Sequence, residues 1–366
     1  MQHGSAKMES APLTTMPIET PLREKHQALG AGLETYFNCL LPGRYSDLAA
    51  ECRTARESAA VFDTNYHAIA SFTGPDRVRY LNAVLTSNVK DLSEGQGCAG
   101  LLLNPQGHIL AEVRCLAQHD RLRAVLHRSV QTRTMETLEK FIIMDDVTLT
   151  DETERLGSVG VEGPAAEAAL AEACGVKLDT IAESGHAEVE VSGISCRVMR
   201  TTHFGEWGAE FIVPREQLAA LWTSLLRAVR AHGGGPIGYQ ALNALRLEAG
   251  IPWFGYDFDD KVIPHEAGLE TSHISYTKGC YTGQEIVERV RSRGHTNRRR
   301  VRLQFLGMEL PPGGAKLIAG GQDAGAVTSA AFSPRLGRVL GMAYVRREFS
   351  ETGGVLRWSG GEAEVT

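Results

Sequence analysis

The stretch Lys278-Gly279-Cys280-Tyr281-Thr282-Gly283-Gln284-Glu285 guides the interpretation of the whole chain. Thr282 and Glu285 have the spacing of a capping box, in which a hydroxyl and a carboxylate satisfy free N–H groups at the start of a helix. The pattern predicts a helix that begins here. It also predicts that Glu285 pairs with Arg289 at i,i+4 on the helix surface and that Gly294 ends the helix.

Cys280 is the cysteine that we expect to be reactive. The partial positive charge of the predicted helix N-terminus and the ammonium group of Lys278 both favour a thiolate. The alternative is a purely structural role, since most cysteines that pack inside proteins are inert. The seven cysteines of the chain form no Cys-x-x-Cys pair and no zinc-like spacing, so we expect reduced thiols and no metal site.

The same eight residues resemble the Lys-Gly-Cys-aromatic-x-Gly-Gln-Glu motif of YgfZ-type proteins. These are folate-binding iron–sulfur maintenance proteins in the superfamily of the glycine-cleavage T-protein, an aminomethyltransferase. The resemblance extends over roughly residues 45 to 350. It implies an α+β fold with three lobes, in which two α+β lobes surround a central folate cavity and a C-terminal antiparallel β-barrel follows. It also implies tetrahydrofolate or a one-carbon derivative as cofactor, with Tyr281 among the residues that bind it.

The length of the chain and its Gly and Pro clusters predict the domain organisation. A chain of 366 residues is too long for one ordinary core. We expect a flexible leader over residues 1–25 and a folate-binding α+β region over residues 26–293. This region should consist of two lobes with a boundary near residue 150, because a strand–turn–helix order repeats after that point. After residue 293, short β-like runs alternate with Gly and Pro clusters, which predicts a small antiparallel barrel over residues 294–366.

Two further segments carry candidate folate-binding residues. Residues 200–210 resemble the T-protein stretch Arg-Thr-Gly-Tyr-Thr-Gly-Glu-x-Gly-x-Glu, in which a carboxylate holds the pterin ring. A fixed carboxylate can accept two parallel N–H bonds from the ring amide and its amino group, which makes Glu210 our first choice and Glu206 our second. Residues 245–250 resemble the family's Leu-Arg-x-Glu-x-Gly helix, which implies that Arg246 approaches the folate. An exposed turn and an exposed helix arginine are the structural alternatives.

One departure from the T-protein pattern bears on catalysis. The T-protein has an acidic pair after a Gly-Gly turn, and its first Asp is assigned the catalytic role, but the pair here is Ala111-Glu112. Losing a proton-transfer group lowers a rate by about 10²- to 10⁴-fold. Glu112, the remaining acid, is a further candidate for cofactor binding, yet neighbouring residues of a strand point to opposite faces. Whether the protein is an enzyme therefore stays open at this point.

Three functions remain as hypotheses. The first is a tetrahydrofolate-binding protein that assists the assembly or repair of iron–sulfur enzymes, with Cys280 as its functional thiol, Lys278 beside it, and iron–sulfur client or assembly proteins as partners. The second is a folate-dependent aminomethyl or one-carbon transferase. The third is a folate-binding module without catalytic activity.

Charge and hydropathy exclude some classes of protein. A net charge of −6 and a pI near 6.1 argue against a general nucleic-acid binder, although residues 289–302 contain seven arginines that could attract a folate glutamate tail, a phosphate or RNA. Such a run is usually a solvated face. The sequence contains no signal-peptide core and no stretch of about 18 apolar residues, so we expect a cytoplasmic protein that does not enter membranes.

Overall fold

The computed structural model describes residues 16–366. The helices in this part of the chain are α1 (Arg23–Ala28), α2 (Leu48–Glu57), α3 (Arg77–Val84), α4 (Gln131–Phe141), α5 (Ala166–Cys174), α6 (Arg215–Ala231), α7 (Tyr239–Ala249), α8 (Pro264–Ala267) and α9 (Gln284–Arg293). The first ten strands are β1 (Ile18–Glu19), β2 (Gly32–Tyr36), β3 (Cys39–Arg44), β4 (Ala60–Asp63), β5 (His67–Thr73), β6 (Gly97–Leu103), β7 (Ile109–Ala117), β8 (Leu122–His127), β9 (Thr148–Asp151) and β10 (Leu156–Glu162). The others are β11 (His186–Val191), β12 (Ile194–Arg200), β13 (Gly208–Pro214), β14 (Gly235–Pro236), β15 (Arg298–Phe305), β16 (Lys316–Ala319), β17 (Gln322–Ser333), β18 (Arg338–Arg346), β19 (Val355–Trp358) and β20 (Gly361–Val365).

The segment around α1 is packed against the body of the protein. Strand β1 pairs in parallel with β3, and Leu22 and His26 are fully buried. The imidazole Nε2 of His26 lies 2.8 Å from Oδ2 of Asp63. Residues 16–25, which we expected to belong to a flexible leader, therefore include a paired strand and the buried Leu22. Residues 1–15 of that leader lie outside the described part of the chain.

Two sheets form the α+β body. A five-stranded sheet has the order β6-β7-β8-β5-β9, and a six-stranded sheet has the order β11-β12-β13-β10-β4-β14. The sheets contact each other through a small apolar cluster formed by Ile69, Leu116, Val125, Met199 and Ile212. Strand β4 precedes the five-stranded sheet in sequence but pairs with β10 in the other sheet. A boundary near residue 150 therefore does not separate the two sheets cleanly.

The C-terminal strands form a closed antiparallel barrel in the order β15-β18-β17-β16-β19-β20. Alternate side chains of these strands, including Leu303, Phe305 and Leu356, fill its interior. The predicted fold class, an α+β body followed by an antiparallel barrel, is confirmed.

Helix α9 differs in one detail from its prediction. It begins at Gln284, its N-cap residue is Gly283 with φ +82°, and no side chain caps it, so the predicted capping box of Thr282 and Glu285 does not form. The helix start is fixed instead by tight packing, since a Cβ on Gly283 would lie 2.7 Å from the carbonyl oxygen of Asn104. The surface pair of Glu285 and Arg289 does form, at 2.6 Å, and Gly294 ends the helix with φ +78°.

The contrast between two glycines of the quoted stretch gives a stability prediction. Gly283→Ala should lower the free energy of unfolding by about 1–3 kcal/mol, because the new methyl group meets backbone and the positive φ disfavours an L side chain. Gly279→Ala is the matched control, since nothing lies within 4 Å of the position its Cβ would occupy. Urea unfolding of both variants measures the difference. Equal stability of the two variants would contradict this packing.

Candidate functional site

A cavity of about 870 Å³ lies between the two sheets and the loops that follow α7 and α8. This size suits a small organic ligand. Its walls combine aromatic, acidic and basic side chains from distant parts of the sequence. The lining includes Tyr66, Glu112, Arg114, His127, His203, Trp253, Phe254, Ser272, His273 and Arg300.

Glu112 projects into this cavity from the middle of β7. Its Oε1 lies 3.1 Å from Nε2 of His273, and its Oε2 lies 4.0 Å from Nε2 of His127. Burial acts to raise the pKa of Glu112, but the hydrogen bond and charge of His273 outweigh burial and hold that pKa at about 2. Burial, with the charge of His67, lowers the pKa of His127 to about 3, so His127 is neutral near pH 7. Glu112 is thus an ionised carboxylate between two imidazoles of the cavity wall.

The position of Glu112 corrects an expectation from the sequence. The alternation along β7 does point residues 111 and 112 to opposite faces, but it is Ala111 that is fully buried in the core. Glu112 is the member of the pair that lines the cavity. Glu112 therefore faces the cavity, whereas we expected it to point away from the site.

Glu210 lies in β13, is fully buried, and stands behind the cavity wall. Its Oε1 is 2.8 Å from Nδ1 of His67. Its Oε2 has no hydrogen-bond partner among the described residues and lies 3.8 Å from Nε2 of His203, which is equally unpartnered there. Burial acts to raise the pKa of Glu210, but the charge and hydrogen bond of His67 outweigh burial and hold it at about 2. Oε2 of Glu210 is thus a charged oxygen beside His203, which lines the cavity.

Glu162, at the end of β10, shapes the loop that carries His203. Its carboxylate accepts hydrogen bonds from the backbone N–H groups of His203, Phe204 and Glu206 and from the hydroxyl of Thr202. The side chain of Glu206 lies 4.0 Å from Arg56 and does not line the cavity. Glu162 is not among the residues predicted from the sequence, although an acid at the end of an apolar strand is a signal that could have indicated it.

Arg246 is fully buried and does not line the cavity. It forms an ion pair with Asp257, and its guanidinium carbon lies 4.6 Å from the ring centroid of Trp253. Asp257 also accepts hydrogen bonds from the hydroxyls of Thr328 and Ser329 in the barrel. Arg246 therefore supports the cavity wall from behind Trp253, and the direct approach to a ligand that the resemblance implies is not seen in this arrangement.

The residues of the opening motif lie outside the cavity lining. The ammonium group of Lys278 donates to the carbonyl oxygens of Asn82 and Leu85 at the C-terminal end of α3. Its nitrogen lies 4.9 Å from the ring centroid of Tyr281, which is buried in the core. Cys280 is exposed. Lys278 thus ties the motif to α3.

The cysteine that influences Lys278 is Cys98, which lines the cavity. Burial lowers the pKa of Lys278 to about 8, and the nearby Cys98 opposes this shift. The role that we expected for Lys278, as the cationic partner of the Cys280 thiol, has no contact in the structure to support it.

Most side chains of the arginine run of residues 289–302 form contacts within the protein. Arg300 lines the cavity and donates to the carbonyl oxygen of Ala267. The other contacts are Arg289 with Glu285, Arg291 with Tyr276 and Glu288, Arg298 with Glu266, Arg299 with Ser350, and Arg302 with the carbonyl oxygen of Glu248. The run therefore joins α9 and β15 to their neighbours.

The low pKa values of Glu112 and Glu210 predict acid sensitivity. Both carboxyls titrate near pH 2 in the folded protein and near the ordinary value of about 4.3 when unfolded. The stability that they contribute is present above about pH 4.3 and is lost as the pH falls towards 2, by about 3 kcal/mol per group. Urea unfolding between pH 6 and 3 measures this slope. The double variant Glu112→Gln/Glu210→Gln should show a shallower slope, and an unchanged slope would contradict the assignment.

Within residues 16–366, no group of three or more His, Cys, Asp or Glu side chains is arranged to hold a metal ion. In the same part of the chain, none of the helices has the length and apolar character needed to cross a membrane.

Comparisons with known proteins agree with this architecture. The family model of the GCVT N-terminal domain matches residues 22–274, and the model of the glycine cleavage T-protein C-terminal barrel domain matches residues 298–361. An aminomethyltransferase of Rubrobacter xylanophilus is 31% identical over 329 residues, which cover 90% of this chain and 87% of that protein. An aminomethyltransferase of Thermosynechococcus vestitus is 30% identical over 334 residues, which cover 91% and 89%.

A solved structure shows the same fold. The glycine cleavage system aminomethyltransferase T from Bartonella henselae superposes with a TM-score of 0.87 and 24% identity, covering 95% of this chain and 96% of that one. The fold, the two matched domain models and the relatives of nearly full length agree, and the chain therefore belongs to the glycine cleavage T-protein family.

Proposed function

We propose that this protein binds tetrahydrofolate or a one-carbon derivative in the cavity and transfers a one-carbon unit between folate and an amine. This is the second of the three functions that the sequence left open. It is favoured because the relatives reported above are named aminomethyltransferases. Glu112 also supplies the cavity with the carboxylate that seemed to be missing. A cytoplasmic location is part of the same proposal.

The observation that carries the proposal is the unpartnered Oε2 of Glu210. A buried charged oxygen without a hydrogen bond is unfavourable, so a ligand that brings N–H donors to it gains affinity. The amide and amino groups of a pterin ring are such donors. Glu210 is fully buried behind the cavity lining, so these donors reach it only when the side chain of His203 moves aside. Tyr66, Trp253 and Phe254 offer aromatic surface for stacking.

The charge of the cavity also suits a folate. Arg114 and Arg300 line it and offer positive charge to a ligand carboxylate. When bound, tetrahydrofolate supplies the nucleophilic nitrogens that carry one-carbon units. The chain itself supplies the pocket that binds and orients the ring, together with a carboxylate, Glu112, that can hold a proton.

Calorimetric titration of the protein with tetrahydrofolate under anaerobic conditions tests this proposal. We expect saturable binding at one site, and weaker binding of a folate analogue that lacks the 2-amino group. One-carbon transfer is then followed by formation of the folate product from an aminomethyl carrier. Absence of binding at millimolar ligand would overturn the proposal, and binding without turnover would favour the non-catalytic module.

Iron–sulfur maintenance is the second candidate, because the motif that resembles YgfZ-type proteins presents an exposed thiol. Cys280 is the exposed cysteine among seven. A single thiol cannot ligate a whole cluster, so any cluster would need further ligands from a partner. The relatives reported above give this role no support.

Complementation tests this second candidate. A [4Fe–4S] enzyme is assayed in cells that lack their own YgfZ-type protein, with wild type, Cys280→Ala or Glu210→Gln supplied. Rescue by wild type but not by Cys280→Ala would support the iron–sulfur role. Failure of the folded, expressed wild type to rescue would count against it.

A further inference from the structure

Three side chains form a hydrogen-bonded chain along one wall of the cavity. Oγ of Ser272 lies 2.7 Å from Nδ1 of His273, and Nε2 of the same ring lies 3.1 Å from Oε1 of Glu112. All three residues line the cavity. The chain joins the loop after α8 to the middle of β7, across 161 residues of sequence.

The backbone around His273 is held firmly. The hydroxyl of Thr86 donates to the carbonyl oxygen of His273 at 2.6 Å and accepts from the N–H of Leu101 at 2.8 Å. The N–H of His273 donates to the carbonyl oxygen of Leu269 at 3.0 Å, and that of Ser275 donates to the carbonyl oxygen of Thr86 at 2.9 Å. The backbone at His273 is thus fixed relative to β6, the neighbour of β7, and the contacts with Ser272 and Glu112 hold the ring. Such preorganisation is what acid–base chemistry requires.

The hydrogen-bond directions follow from chemistry. An ionised carboxylate only accepts, so Nε2 of His273 carries a hydrogen and donates it to Glu112. In the neutral ring Nδ1 then accepts from the hydroxyl of Ser272, and in the charged ring Nδ1 donates to it. Rotation of one hydroxyl is enough to accommodate either charge. The chain can therefore change its protonation state without moving a heavy atom.

The second oxygen of Glu112 is open to a ligand. Oε2 has no hydrogen-bond partner among the described residues, and Nε2 of His127 lies 4.0 Å from it. Arg114 on β7 also acts on this carboxylate, and His203 and Arg300 line the same cavity. Oε1 thus binds His273, whereas Oε2 is free to contact a ligand.

We propose that Glu112 is the proton acceptor of the one-carbon transfer and that His273, held by Ser272, is its positioning residue. The inference rests on the proposed function. The proton of the attacking amine nitrogen passes to Oε2 of Glu112 as that nitrogen bonds to the one-carbon unit. The bond from this carbon to its carrier breaks, and the electron pair leaves with the carrier. Glu112 thereby takes over the task of the carboxylate that the chain lacks at Ala111.

The kinetic test uses two variants and one control. Glu112→Gln should lower the transfer rate by about 10²- to 10⁴-fold while tetrahydrofolate affinity changes little. His273→Gln retains an N–H donor but cannot carry the charge, so the acid limb of the pH–rate profile should move to higher pH by about one unit. The control is His265→Gln, which lies outside the cavity lining and should leave rate and profile unchanged.

A second readout needs no ligand and no turnover. The titration of the Glu112 carboxyl is followed by isotope-edited infrared spectroscopy in the unloaded protein, and its midpoint should rise in His273→Gln. A merely structural role for His273 would lower activity at all pH values without moving the midpoint, and that result would overturn the inference. Wild-type transfer by Glu112→Gln would overturn it too. If wild type binds no tetrahydrofolate, the proposed function fails, whereas the carboxyl titration still reports on the pair.

Discussion

Replacing Glu210 with glutamine will weaken tetrahydrofolate binding by about 10- to 100-fold. Glutamine keeps the size of the side chain but removes its charge, and it places an NH₂ group where one of two acceptor oxygens stood. Hydrogen bonds to charged groups contribute about 1.5–3 kcal/mol, which corresponds to this range of affinity. Because Oε2 of Glu210 is the unpartnered atom beside the cavity, the loss should fall on the pterin end of the ligand.

The matched control for this prediction is Glu206→Gln. Glu206 belongs to the same sequence segment, but its side chain is partly exposed and faces Arg56, whereas the buried Oε2 of Glu210 faces the cavity-lining His203. Calorimetric titration should therefore give wild-type affinity for the control. Thermal melting of Glu210→Gln without ligand separates a folding defect from a binding defect, since Glu210 also pairs with His67. Equal affinity of both variants would exclude Glu210 as the pterin carboxylate.

Replacing Asp257 with alanine will lower the free energy of unfolding by about 3–5 kcal/mol. Arg246 and Asp257 are both fully buried, so removing the carboxylate leaves an uncompensated charge in the interior. The change also leaves the hydroxyls of Thr328 and Ser329 without their acceptor. Urea unfolding followed by tryptophan fluorescence measures the loss.

Two comparisons sharpen this prediction. Asp259→Ala, two residues further on, should change stability by less than about 0.5 kcal/mol, because its carboxylate only contacts nearby Lys261 near the surface. The paired variant Arg246→Met/Asp257→Leu should recover part of the stability, since it removes both charges together. A loss from the single change no larger than that of Asp259→Ala would show that the buried pair contributes little.

The barrel could be predicted from sequence because its information is local. Short strands separated by Gly and Pro clusters specify turns and pairing within neighbouring segments, and all six strands lie within residues 298–365. The surface pair of Glu285 and Arg289 is local in the same way. The capping box failed because Gly283 packs against a turn at Asn104, which is distant in sequence.

The cavity could be predicted only in part. Glu210 was identified through a resemblance, and its role as the pterin carboxylate stays a prediction. His273, His127 and Glu162 carry no periodic signal, since each acts through a partner far away in the chain. The face on which Glu112 lies depends on which side of the five-stranded sheet is covered by the core, and alternation along one strand does not determine this.

The placement of β4 has a consequence for how the protein is made. Residues 60–63 of β4 emerge from the ribosome early in synthesis. Their partner strands in the six-stranded sheet, β10 and β14, are translated much later, and β14 ends only at Pro236. The core of the five-stranded sheet likewise includes Phe254, Tyr281 and Val287, which emerge from the ribosome after both sheets have been translated. The six-stranded half therefore cannot complete its sheet before residue 236 is translated, and the five-stranded half cannot complete its core before residue 287 is translated. We expect the body to fold only when translation is nearly finished, and its early strands to depend on chaperones until then.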